Sequence, residues 1–257
     1  MGEHGTWFDY LNRFDWWRGL DNWLHHKLER TWLLNMFPTG WSMTHVLIAC
    51  TVVLFTLIGS LAFLRGLKAK DGGIVPPRTM NFRNFFEYLA ESLFGYVEGA
   101  MGEKNARRFY PLIGSLFVFI LFCNLFALIP GFSAPTDTLK TNVGIAIMVF
   151  LLTHFYGVKE HGLAYFKHFL GPVPALIPLM LPIEIVSHVA RPVSLSIRLM
   201  GNMMADHKVL MSFFALVPIL VPLPFLLLGL LVCLIQAVVF CTLAMVYFSM
   251  AIEHEEH

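Results

Sequence analysis

The sequence predicts an all-α integral membrane protein. We expect about five membrane-embedded helices plus an interfacial amphipathic helix, with the last two embedded helices forming a long tilted hairpin. Three observations carry that expectation. Of the 257 residues, 57% are hydrophobic and only 14% are charged, whereas soluble domains carry about 25% charged residues. The apolar residues fall in runs long enough to cross a hydrocarbon core of about 30 Å. Lipid offers backbone groups no water, so such runs fold as helices that satisfy their own N–H and C=O groups. Finally, one long run, residues 175–217, also carries several ionisable side chains. The formal net charge of +1 gives no reason to expect a nucleic acid partner.

Residues 1–42 are polar but rich in aromatics, including Trp7, Trp16, Trp17, Trp23 and Trp32. Phe8, Leu11, Phe14, Leu20 and Leu24 suggest an amphipathic helix, and tryptophan suits a membrane–water interface. The segment lacks the basic start, apolar run and small-residue cleavage site of a signal peptide. The membrane domain is expected over 43–257, with its first span near 46–64. Arg65, Lys68 and Lys70 follow that span, which places the N-terminus outside and residues 65–108 in the cytoplasm.

Near 80–102, Phe82, Phe85, Phe86, Leu89, Leu93, Val97 and Met101 recur at helical spacing opposite Arg83, Glu87, Glu91 and Glu98. That pattern is the interfacial amphipathic helix. The next spans are expected near 109–130, stopped by Pro130-Gly131, and near 142–158. Residues 175–217 form the long polar run. Pro218, Pro222 and Pro224 make an outer turn, and 223–252 is the last span, with the acidic tail ending inside. Cys50, Cys123, Cys233 and Cys241 lie in apolar runs without metal spacing and read as packing residues.

The polar run is where function is expected, because ionisable groups at bilayer depth are costly. Wound as a helix at about 100° per residue, Glu184, Ser187, Arg191, Ser194 and Asn202 fall within about 40° of Arg198. His188 and Asp206 stand at the edge of that stripe, and His207 points away from it. From Pro182 to Val217 only Pro192 interrupts the pattern. An unbroken helix there would be roughly 54 Å long, so it must tilt steeply or bend at Pro192. On the last span, Gln236 is a buried amide that needs partners. An antiparallel hairpin would bring it near the depth of Arg198.

Arg198 cannot carry protons, because a guanidinium stays charged in proteins. It can instead act as a fixed counter-charge to a carboxylate on another chain. A carboxylate beside it is held ionised; moved away into lipid, the same group must take up a proton. Two polar paths would complete the device, with Glu184, Ser187 and His188 towards the inside and Asn202, Asp206 and His207 towards the outside. The bland alternative is an arginine that snorkels to a headgroup. Its position several turns from either end of the run argues against that.

Arg191-Pro192-Val193-Ser194-Leu195 and Arg198-Leu199-Met200-Gly201-Asn202-Met203 resemble the signature of subunit a of F-type ATP synthases, the stator of a membrane rotor. Pro135–Ile147 and Leu234–Ala251 extend the resemblance, which covers most of the chain beyond about residue 80. The resemblance implies that Arg198 is the stator arginine facing the rotor carboxylates, Gln236 its glutamine partner, Asn202 the half-channel asparagine and Glu184 the acid near the inner channel. It implies two proton half-channels, no nucleotide site and no cofactor. The implied partners are a rotor ring of c subunits, the b subunits of a peripheral stalk, and the lipid bilayer. The implied location is a bacterial inner membrane, with the mitochondrial inner membrane as the alternative. Departures from the family pattern are His207 where bacterial relatives often carry Glu, Gly229 where His or Glu is common, and Asp206 in place of a small residue. Asp206 and His207 are therefore expected to supply the outer relay together.

Two other classes were weighed. A stand-alone transporter often shows inverted repeats and paired broken helices, and neither is visible. A haem-bearing subunit would need axial ligands, and His45, His154, His188 and His207 show no paired spacing. The coupling ion is expected to be H⁺, with Na⁺ as the alternative.

Overall fold

A computed structural model describes residues 15, 17–19, 22–23, 43–67, 82–129, 134–162, 165, 177–216 and 222–252. Helix α1 is Met43–Leu67, α2 Phe82–Ala127, α3 Leu139–His161, α4 Ile177–Leu216 and α5 Pro222–Ile252, with a 3₁₀ turn at Pro135–Asp137 before α3. No strand occurs among the described residues, and the all-α expectation holds. The apolar positions of the expected amphipathic helix before residue 25, the basic link after α1, the Pro218 turn and the acidic tail lie outside the described residues.

Among the described residues, three helical stretches are long and apolar enough to cross a membrane: Asn84–Ala127, Leu139–His161 and Leu223–Ile252; Val46–Leu61 is a shorter apolar one. Helix α4 is not among them despite its 40 residues. Its apolar surface is interrupted by Glu184, His188, Arg191, Arg198, Asp206, His207 and Lys208.

Helix α2 is folded back on itself. Gly102 has φ 75° and ψ 158°, a conformation open to glycine because no Cβ obstructs it. The Tyr110 hydroxyl donates to the Ala90 carbonyl at 2.9 Å. Phe86 stacks on Phe122 with centroids 6.1 Å apart. In one straight helix those two residues would be roughly 54 Å apart, so Gly102 reverses the chain. The segment before Gly102 thereby buries Leu93, Val97 and Met101 in the main core. Its Tyr96 hydroxyl shares a 2.6 Å hydrogen bond with the Thr242 hydroxyl on α5. The apolar face of this amphipathic segment is covered by protein, while Phe85 and Tyr88 stay exposed.

The core sits between α2 and α5. Cys233, Ala237, Cys241 and Ala244 repeat at three- to four-residue steps on α5 and are fully buried. Such small side chains let helix backbones approach closely, and the Cys241 thiol points at the Ile113 carbonyl, 3.7 Å away. Cys123 is buried as well, but Cys50 is exposed on α1, so the packing reading fits three of the four cysteines. At one end, Phe109 stacks on Phe248 at 5.1 Å and meets Tyr156 edge-on at 4.9 Å. Arg108 lies over the Phe109 and Tyr156 rings and pairs with Glu160 at 3.1 Å. It thereby ties the end of α3 to α2.

A buried polar network fixes the other end of α3. The Thr136 hydroxyl donates to Asn124 Oδ1 at 2.7 Å, and Asn142 Nδ2 donates to the Thr136 carbonyl at 2.7 Å and, at the longer 3.5 Å, to the Ser196 carbonyl. Unpaired amides are costly in an apolar interior, so these bonds hold the 3₁₀ turn against α2, α3 and α4 in one geometry. We predict that Asn142→Ala lowers stability by about 1–3 kcal/mol, the cost of stranding a buried acceptor. Thermal denaturation in detergent should show an earlier transition, whereas Ser115→Ala, on an exposed site, should leave it in place.

Candidate functional site

Helix α4 runs unbroken through Pro182 and Pro192. Proline in a helix interior removes a backbone donor. Just beyond Pro192, the Ser196 hydroxyl donates to the Pro192 carbonyl at 2.9 Å and the Val193 carbonyl at 3.0 Å, tightening the turn that follows the lost bond.

The polar stripe on α4 lies along the border between covered and open surface. Arg198 and Ser194 are exposed; Glu184, Ser187, His188, Arg191, Asn202, Asp206 and His207 are half-buried. Leu195, Ser196, Leu199 and Met203 are turned into the core. Among the described residues, Arg198 enters no ion pair and no hydrogen bond. Its charge is therefore presented outward beside exposed Ser194, with exposed Ile197, Val186 and Val193 about 100–140° further round the helix.

Two ring contacts fix the register of the α4–α5 hairpin. Near its turn, Phe213 stacks on Phe225 with centroids 4.0 Å apart. At the far end, the Arg191 guanidinium lies 5.4 Å from the Tyr247 ring centroid. Asn202 is eleven residues from both Phe213 and Arg191, and Gln236 is eleven from both Phe225 and Tyr247. Eleven residues make about three helical turns, so the facing side is kept. Asn202 and Gln236 therefore stand opposite each other, one turn beyond Arg198. The sequence could place Gln236 only at a similar depth.

The N-terminal half of α4 forms a cleft with α3 and the end of α5. A small cleft of about 50 Å³, partly open to the surroundings, is lined by Glu184, His188, Arg191, Tyr247, Tyr165 and His154 among others. His188 Nδ1 lies 3.0 Å from the Glu184 carbonyl and 3.3 Å from its carboxylate. The His154 and His188 rings meet edge to face with centroids 5.4 Å apart. His154, Tyr165 and Tyr247 had no place in the sequence-level site. Nothing in their spacing brings them to α4, because the contacts join separate helices. No group of three or more possible metal ligands occurs among the described residues.

Towards its C-terminal end α4 faces α5, where Phe213 stacks on Phe225; the 3₁₀ turn also packs on α4. One carboxylate oxygen of Asp206, Oδ2, is enclosed without a hydrogen-bond partner among the described residues. As neighbours on a helix, Asp206 and His207 point about 100° apart. Gly229 is buried where an added Cβ would meet Leu128 Cδ2 at 2.8 Å, so a larger side chain there requires Leu128 to move.

Known proteins are similar to this sequence. The sequence profile of the ATP synthase A chain family matches residues 42–249. Over 238 residues, 89% of this chain and 98% of the relative, the chain is 45% identical to "ATP synthase subunit a 1" of Syntrophotalea carbinolica. It is 46% identical to "ATP synthase subunit a" of Trichlorobacter lovleyi, over 82% of this chain and 88% of the relative. With the Geobacter sulfurreducens protein of the same name, identity is 46% over 79% of this chain and 84% of the relative.

The hairpin register can be checked by chemistry. With the four native cysteines replaced, Asn202→Cys and Gln236→Cys together should be joined by a short thiol cross-linker. Arg191→Cys with Gln236→Cys, three turns out of register, should stay unlinked. Equal linking of both pairs would refute the register.

Proposed function

The chain belongs to the ATP synthase A chain family, and from that premise we propose that it is the ion-translocating stator of a rotary F-type ATP synthase. It is an all-helical membrane protein of a proton-driven ATP-synthesising complex. In this reading it hydrolyses nothing itself, and the catalytic sites lie on other subunits. Its partners are a ring of c subunits bearing carboxylates and the b subunits of the peripheral stalk. It sits in a bacterial inner membrane, with its N-terminus outside and its C-terminus in the cytoplasm.

The observation that carries the reading is Arg198: a permanent charge, exposed at the border of the covered surface of α4 and unpaired among the described residues. A rotor carboxylate reaching it stays ionised, because the opposite charge favours that form. A carboxylate turned away into lipid must be protonated to be tolerated there. Arg198 therefore separates a release side from an uptake side without exchanging a proton itself. Gln236 and Asn202, facing each other one turn away, can hold the guanidinium and the passing carboxylate by hydrogen bonds. The cleft with Glu184, Ser187 and His188 supplies the inner path. Asp206, His207 and Asn202 supply the outer one, and Ser194 keeps the stripe polar between Arg191 and Arg198. The ion carried is H⁺, for which carboxylates and imidazoles are suitable carriers.

Two variants test the reading in inverted membrane vesicles energised with ATP. Arg198→Ala should assemble but neither acidify the vesicles nor make ATP; surviving coupled pumping would show the arginine to be structural. Asp206→Asn should assemble and pump more slowly by about tenfold, because an amide cannot pass a proton on. Unchanged pumping would remove Asp206 from the outer path.

A further inference from the structure

Resting on the stator reading, we propose that His154 of α3 is a proton carrier of the inner path, working with His188 as a two-imidazole relay. The geometry on α3 and α4 is alike. His154 Nδ1 lies 2.9 Å from the Phe150 carbonyl, four residues back, and His188 Nδ1 lies 3.0 Å from the Glu184 carbonyl, also four residues back. A carbonyl only accepts, so in each ring Nδ1 carries the hydrogen of the neutral form. The lone pair of each neutral ring is then on Nε2. Both rings line the same cleft, and their edge-to-face contact keeps them close enough for one water to join them.

The transfer balances simply. A hydronium ion at the cleft mouth gives its proton to His154 Nε2, leaving water and an imidazolium. That N–H bond then breaks towards a bridging water, which gives up one of its own protons to His188 Nε2 and stays water; His154 is neutral again. Glu184, 3.3 Å from His188 Nδ1, stabilises the imidazolium now on His188. The relay runs equally well in reverse. The other ionisable groups facing the pair in the cleft are Arg191 of α4, Tyr247 of α5 and Tyr165. Arg191 adds a fixed positive charge that disfavours two imidazolium ions at once, so the pair holds one proton in transit.

The test uses the assembled complex in inverted vesicles and measures proton flow through the membrane sector as the pH on the cleft side is stepped. His154→Gln can still bond the Phe150 carbonyl but cannot titrate. Proton flow near neutrality should fall by about tenfold. The variant should also lose part of the pH dependence between about pH 5 and 8, where imidazoles ordinarily titrate. His154→Gln combined with His188→Gln should be little slower than the worse single variant, since both act in one path. An unaltered rate and profile, or slowing by the same factor at every pH, would overturn the relay. Should the glutamine variant fail to assemble, His154→Asn is judged by the same criteria. Arg198→Ala, run in parallel, keeps the two ideas apart: coupled pumping in that variant defeats the stator reading. If pumping is lost there and the His154→Gln profile is unchanged, only the relay falls.

Discussion

The constraint on which the rest of this structure depends is a guanidinium that cannot discharge. Carboxylates, imidazoles and amines moved to an apolar site can change protonation to escape the cost, whereas arginine does not. A chain that places Arg198 at the border of the covered surface of α4 must give that charge polar company and an outside partner. The polar company is the stripe from Glu184 to Asn202 on α4, together with Gln236 on α5. An outside partner of opposite charge is what the stator reading provides. The snorkelling alternative requires a nearby helix end, and α4 continues well past Arg198 in both directions.

Holding that charge at one level requires a stiff frame, and the packing supplies it at three places. Small residues on α5 bring its backbone close to α2, so the inner helix of the hairpin cannot shift along its axis without losing a complementary fit. Phe213–Phe225 and Arg191–Tyr247 pin the hairpin at both ends. The Asn124–Thr136–Asn142 network secures the start of α3 beside Ser196, two residues from Arg198. A slip of one residue in the hairpin would rotate Gln236 by about 100° away from Asn202. Register is therefore the quantity the fold protects most strongly.

What could be read from the sequence and what could not divide along a physical line. Helical class and the polar face of α4 follow from composition and period, which are local. So does the length of α4, because only two prolines interrupt it and neither breaks the helix. Contacts between helices leave no such trace. His154 looked like a scattered histidine because its partner is on another helix. The reversal at Gly102 hangs on one glycine in a stretch with several, and only the contacts of Phe86 and Tyr110 reveal it. The amphipathic pattern before Gly102 was legible, but amphipathicity reports an apolar face without saying whether lipid or protein covers it. Cys50 shows the same limit, since an apolar run does not say which side is inward.

The two ends of α4 pack against different segments, and in the proposed cycle that asymmetry matters as much as the arginine. Helix α3 begins beside Ser196 and runs down the N-terminal half only, reaching His188 at His154. The inner cleft is lined as far as Ala146 and Leu195. Beyond that point Leu199 and Met203 are buried in the core, and the Asn142 bonds close the gap between α3 and α4. A polar path that continued past this plug would let protons cross without the rotor turning. The buried apolar side chains and the Asn142 Nδ2 bonds obstruct such a leak along the protein side of α4. The exposed side, where Arg198 stands, is left as the route that a moving carboxylate can complete. A fixed charge on the open face and a sealed core behind it are therefore two parts of one requirement, that proton flow and rotation occur together.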